Sequence, residues 1–319
     1  MSTEQKVLFG VDNSQFARDA VAAAGGLLKN NENLKMTIFH GIPEPDLSYL
    51  SKAPLSAEVL EKHLQLWSKE EQKVIRRAKE AVIDAGFDPD RVDTFYEEKC
   101  KDPVISMINL ANKEDFEIIA LARWGAGTLA QKIMGNITYR LISIAYNLPV
   151  WMIDPRISSQ DVLVTIVGAD ISRRVMEHTV KYFAHLKESR FTFFHVIPPI
   201  PPQLHTSSYW DYVRDLSEEE RQEDMVRQRK DYSERARSIA EEGKERLIDA
   251  GVPEQNIAAK FQAQKEGMAR DILTELEEGN YGVLLLGRKG FKDISQFGLG
   301  SKANKLLNAA HALMTCLVN

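Results

Sequence analysis

Cysteine is scarce: the chain of 319 residues holds two, Cys100 and Cys316, too few for a disulfide framework. The opening stretch MSTEQKVLFG lacks the long apolar segment of a secretion signal. No run approaches the ~20 apolar residues of a membrane span. The setting these absences imply is reducing and cytoplasmic, without membrane insertion. Positive charge is not in excess either. With 41 Lys and Arg against 46 Asp and Glu the net charge is -5, so no global field exists to hold a nucleic acid, and an anionic ligand must be bound locally. Glycine (18) and proline (12) are too few for a collagen-like or low-complexity chain. Also missing are the Gly-x-x-x-x-Gly-Lys-Ser/Thr loop, the Gly-x-Ser-x-Gly elbow and the kinase motif set. No Cys/His cluster has zinc-ligand spacing. The residues therefore offer no base for a catalytic claim, and binding is the expected mode of action.

What is present is an internal repeat. Lys35-Met-Thr-Ile-Phe-His-Gly-Ile-Pro43 returns as Arg190-Phe-Thr-Phe-Phe-His-Val-Ile-Pro198, with an offset of 155 at the histidines. Ile83-Asp-Ala-Gly86 returns as Ile248-Asp-Ala-Gly251, and Ala122-Arg-Trp-Gly125 as Gly287-Arg-Lys-Gly290, both with an offset of 165. The extra residues of the second copy fall between Pro198 and Ile248, where Pro198 to Pro202 and Ser207 to Tyr212 read as a longer surface loop. At ~100–200 residues per domain the length also suits two domains. They are expected at residues 1–155 and 160–319, with the boundary between Asp154 and Gln160.

Each copy alternates short apolar runs with helical periodicity. Strands are expected at Val7 to Val11, Met36 to Phe39, Val92 to Tyr96, Glu117 to Ala122 and Val150 to Ile153. Their counterparts are Val162 to Val167, Phe191 to Phe194, Ile257 to Phe261, Gly282 to Gly287 and Thr315 to Val318. Long charged helices run from Ser56 to Ala85 and Ser217 to Ala250, ended by Gly86 and Gly251. Strands apolar on both faces that alternate with helices require a parallel sheet covered on each side. In such a sheet ligands sit beyond the carboxyl ends of the strands. Gly287-Arg-Lys-Gly290 follows a strand there, and Gly300-Ser301 opens the last helix nine residues further on. Glycines let a backbone come close to a ligand and helix N-termini favour anions, so this stretch suits phosphates.

At this point the chain resembles the universal stress protein family. Its nucleotide-binding members carry Gly, two residues, Gly, nine residues, Gly, then Ser or Thr, which residues 287 to 301 match in full. The closing run Leu148 to Ile153 and the histidines ending the second strand, His40 and His195, also look like family features. The resemblance implies two tandem α/β domains, Rossmann-like and of the adenine nucleotide alpha hydrolase-like type, each a five-stranded parallel sheet with helices on both faces. It implies a stress-response protein that binds ATP, with magnesium, through Gly287, Gly290, Gly300 and Ser301. Asp12, in Val11-Asp-Asn-Ser14, would face the adenosine part, and the backbone just after His40 or at Val196 would meet the base. In the first copy Ala122 and Asn136 stand where the pattern has Gly and Ser or Thr, leaving Gly125 and Gly135. In the second, Val167 stands at the place of Asp12, with Asp170 three residues on. The second domain is therefore the expected nucleotide site and the first a degenerate one.

Plainer readings of the same residues stand beside these. The glycines also suit tight turns and helix-to-sheet packing, Asp12 a helix cap, and His40 and His195 a satisfied core. Cys316 reads as buried and inert, Cys100 as the better candidate for oxidation. Glu218 to Arg246 reads as a solvated helix face, and Trp67, Tyr209 and Trp210 as core or loop packing, with an exposed interaction patch as the alternative. Two other functions compete: a tandem scaffold that binds no nucleotide, its domains forming an intramolecular pseudo-dimer through their last strands and open to homodimerisation, and a pocket for a small hydrophobic ligand in the first half. An unidentified protein partner belongs to the nucleotide and scaffold readings.

Overall fold

Val7, Leu8 and Phe9 are wholly out of solvent in β1 (Gln5–Gly10), and so are Val162, Leu163 and Val164 in β6 (Val162–Thr165). Burial on both faces is what a parallel sheet between two helical layers imposes. The computed structural model describes residues 4–42, 56–123, 135–167, 169–201, 204, 207–288, 306–307 and 309–319. The chain divides into two compact units, Met1–Ser158 and Ser159–Asn319.

In the first unit β1 is followed by α1 (Gln15–Leu28), β2 (Leu34–Gly41), α2 (Ala57–Asp84), β3 (Val92–Glu97), α3 (Pro103–Lys113), β4 (Ile118–Ala122), α4 (Asn136–Ile144) and β5 (Val150–Ile153). The strands are parallel, in the order β3-β2-β1-β4-β5. Side chains cap the helices where the sequence offers them: Ser14 accepts from the Ala17 amide and Asp102 from those of Val104 and Ile105, each satisfying donors that the helix cannot. Ser56 caps α2, and Gly86, at φ +94°, ends it in the left-handed region that glycine adopts most readily.

The second unit repeats the plan. β6 leads to α5 (Ala169–Phe183), β7 (Phe191–Ile197), α6 (Ser207–Arg214), α7 (Glu218–Asp249), β8 (Ile257–Ala263), α8 (Met268–Glu278), β9 (Val283–Gly287) and β10 (Met314–Val318). Its strands are parallel in the order β8-β7-β6-β9-β10. Both halves are thus α/β sandwiches on a five-stranded parallel sheet, the fold class that the repeat and the resemblance imply. Ser217 and Glu220 form a reciprocal capping box at the start of α7, a motif that satisfies two amides at once.

One expectation is overturned. Ser207 to Tyr212 is helical, as part of α6, rather than a surface loop. The helix docks through Val213, which is buried, and through Tyr209, whose hydroxyl donates to Asp224 of α7 at 3.1 Å. Trp210 and Tyr212 point outward and are exposed, so for Trp210 core packing is wrong as well.

Gly243 shows how closely α7 lies on its sheet. A Cβ there would stand 2.5 Å from Phe193 Cζ and 3.0 Å from Met176 Sδ, both on buried residues. Gly243→Val is expected to cost the second unit about 1–3 kcal/mol through overpacking. Urea titration followed by circular dichroism checks it, and an unchanged midpoint would remove the close-packing account.

Candidate functional site

In the first unit the strand order reverses at β1, whose neighbours are β2 and β4. Such a reversal leaves a crevice at the carboxyl ends of the strands. A cavity of about 680 Å³ opens there, within the range of small-molecule sites. Val11 and Asp12 come from beyond β1, Phe39, His40 and Gly41 from β2, Leu121 and Ala122 from β4, and Met107 from α3; α2 contributes Glu71. The lining is largely apolar, with its polar groups at fixed places.

Asp12 is held by its own turn: one carboxylate oxygen accepts from the Ser14 amide at 3.0 Å and from the Ser14 hydroxyl. Ser14 in turn caps α1, so Asp12 positions the cap rather than being it. Across the cavity α4 begins at Gly135 with no side-chain cap. The Thr138 hydroxyl turns inward and donates to the Ala122 carbonyl at 3.1 Å. Gly135, Asn136 and Ile137 at the start of α4 line the cavity; the Gly135 amide is taken by the Arg123 carbonyl, and the amides that follow it, with the positive end of the helix dipole, favour an anion.

His40 is buried at the cavity wall. Its Nδ1 donates to the Val11 carbonyl at 2.9 Å, and its Nε2 lies 2.8 Å from Glu71 Oε2. A carbonyl can only accept, so the second contact carries a proton between imidazole and carboxylate. The pair ties α2 to β2. Sequence reasoning missed Glu71, and no spacing could have flagged it, since a glutamate on a charged helix is ordinary until the fold sets it beside a histidine 31 positions away.

The second unit places its residues differently. His195 repeats the strand-end bond, Nδ1 donating to the Ile166 carbonyl at 2.8 Å, but burial and the nearby Arg237 charge hold its pKa below the usual histidine value. Val167, at the place of Asp12, is buried and gives its amide to the Ser172 hydroxyl at 3.0 Å. Asp170 is exposed in the first turn of α5. Val196 is buried within β7. A Cβ on Gly287 would lie 2.3 Å from Ile171 Cγ1, so this glycine lets α5 pack on the strand end. Arg288 is also buried, its Nε donating to Asn319 Oδ1 at 2.5 Å. Gly290, Gly300 and Ser301, and Gly125 in the first half, lie outside the described residues. Both cysteines are buried; Cys100, the expected oxidation target, lies against the Ser106 hydroxyl at 3.5 Å and on the wall of the first-unit cavity. Among the described residues no group of three His, Cys, Asp or Glu is arranged to hold a metal, and no helix is long and apolar enough to cross a membrane.

Residues 4–153 match the model of the universal stress protein family. The first half of the chain belongs to that family. The universal stress protein from Archaeoglobus fulgidus DSM 4304 has a similar structure over both halves, at 14% identity, with 99% of this chain and 98% of that one covered and a TM-score of 0.63. A protein of unknown function, PA1789 from Pseudomonas aeruginosa PAO1, is similar at 12% identity, 99% and 93% coverage and a TM-score of 0.57. At such identities the likeness is one of fold. A universal stress protein in complex with cAMP matches 48% of this chain and 98% of its own, at 18% identity and a TM-score of 0.32. No curated protein matches the chain in sequence.

Proposed function

We propose that this universal stress protein binds an adenine nucleotide in the cavity of its first unit and acts through the bound state rather than through catalysis. The observation that carries the reading is one cavity in which a turn-held carboxylate, Asp12, faces the uncapped start of α4. A carboxylate accepts from the hydroxyls of a sugar, the α4 amides donate to a phosphate, and Phe39, Met107 and Leu121 offer apolar surface for a base. These complementary groups fit the nucleotide that the family resemblance implies, and magnesium would enter on its phosphates. In the second unit, Val167 and the packing of Ile171 on Gly287 speak against the same arrangement. The Gly290 and Gly300-Ser301 segment remains the alternative seat for ATP.

Calorimetric titration of the full chain with ATP and magnesium, and with AMP, separates the two. Asp12→Asn keeps an acceptor for the Ser14 amide but removes the charge, and is expected to weaken binding at least about tenfold, roughly 1.4 kcal/mol. Gly300→Val is expected to leave affinity unchanged. The reverse pattern would move the site to the second unit, and no heat from the wild-type chain would favour a scaffold.

A further inference from the structure

The repeat aligns the inner faces of the two long helices residue by residue. Val74, Ile75, Ala78 and Val82 of α2 are buried, and so are Ile239, Ala240, Gly243 and Leu247 of α7, a constant offset of 165. The same offset sets Ala236 at the place of Glu71 and Tyr232 at that of Trp67. The first unit therefore has a carboxylate for its strand-end histidine, and the second has a methyl group.

The consequence is visible around His195, which is 1% exposed. Its Nδ1 proton goes to the Ile166 carbonyl, and its Nε2 is fully buried with no hydrogen-bond partner, as is the hydroxyl oxygen of Tyr232. On α7 it faces the Tyr232 ring, 5.2 Å away between centroids, and the charge of Arg237. On β8 it faces Phe261, at 6.0 Å, over which the Arg237 guanidinium lies at 4.4 Å. Lys260, one residue earlier on β8, points to the other face of the sheet, where it is paired with Glu275. On β6 the facing group is the uncharged Ile166 carbonyl. No carboxylate is bonded to His195 among the described residues, and its nearest charge is of the sign an imidazolium would carry.

We propose that the seam between α7 and β7 is an acid-sensitive latch: when His195 gains a proton, α7 loosens from its strand, while the equivalent seam of the first unit holds because Glu71 pairs with Nε2 of His40. A second N–H and a positive charge at Nε2 would meet only a phenol and a guanidinium. A buried charge without a counterion is disfavoured far more than a neutral ring, so the proton is taken up by the opened seam.

The test is amide exchange on the full chain, converted to opening constants for the α7 and β7 amides between about pH 7.5 and about pH 5. One-proton linkage makes the wild-type opening constant rise by up to about tenfold per pH unit below the ordinary histidine pKa. Ala236→Glu rebuilds the pairing of the first unit and is expected to remove one proton's worth of that slope. Contributions from other buried histidines are common to both proteins and cancel in the difference. A wild-type slope in a folded Ala236→Glu chain overturns the proposal. Should that variant not fold, His195→Gln, which cannot take up a proton, carries the same test, and a wild-type slope there overturns it equally.

Discussion

At pH 5 the second unit is expected to be weaker than at neutral pH by about 2 kcal/mol from His178 alone. His178 is buried in α5 against the Tyr182 ring, at 4.5 Å between centroids. Burial first, and then the charge of Lys181, push its pKa from 6.5 down to about 3. Between those values the unfolded chain binds a proton that the folded unit refuses, so stability is complete above the unfolded pKa and falls as the pH drops below it. Each pH unit in that window is worth 1.36 kcal/mol, which gives about 2 kcal/mol at pH 5 and more toward pH 3. The lowered pKa of His195 acts in the same direction. His178→Phe keeps a ring against Tyr182 but has no proton to gain, so its stability curve should flatten across this range whatever its absolute level. Urea midpoints at several pH values, followed by circular dichroism, decide it. A mutant slope equal to that of the wild type would show that His178 titrates normally in the folded chain.

Much of this architecture was legible because duplication doubles every signal. The apolar runs at Val7 and Val162, the caps Ser56 and Ser217 and the stops Gly86 and Gly251 all mark elements that the structure contains, to within a residue or two at the ends. What the sequence could not show was pairing across the fold. His40 and His195 look alike in their strands, and the difference between them lies on a helix far along the chain, in Glu71 against Ala236. The glycine spacing from Gly287 to Ser301 reads as a phosphate loop, yet whether Gly287 admits a ligand or a neighbouring side chain depends on Ile171, which no spacing rule connects to it. Residues Ser207 to Tyr212 follow a proline cluster and are rich in serine and tyrosine, a composition typical of loops. They are helical because Tyr209 and Val213 find partners on the body of the unit, a tertiary effect outside local propensity.

Asp154→Leu should be among the most damaging single substitutions in the first unit, at about 3–5 kcal/mol. Asp154, directly after β5, is completely buried. Arg156 donates to both its oxygens, from Nε at 2.9 Å and Nη2 at 2.8 Å. It also faces Arg123, at the end of β4, whose side chain is 1% exposed and whose pKa burial pulls down to about 10, against the attraction of Asp154 and with the repulsion of Arg156. Arg156 is half exposed and can turn to water, where an ion pair is worth only about 0–1 kcal/mol. Arg123 has no such exit. Without Asp154 the guanidinium keeps its desolvation cost and loses the attraction that offsets part of it. Replacing both residues removes the two buried charges together, so Arg123→Met with Asp154→Leu should recover part of the loss, since apolar residues can equal buried charged ones. A double-mutant cycle by urea unfolding of the first unit, read by Trp151, tests this. Simple additivity of the two substitutions would mean that the charges do not depend on each other. Because Arg123 follows Ala122 at the cavity, and its carbonyl accepts from the Gly135 amide at 3.2 Å, the single variant should also weaken the proposed nucleotide binding. The double variant, with the strand end settled again, should regain that binding along with the stability.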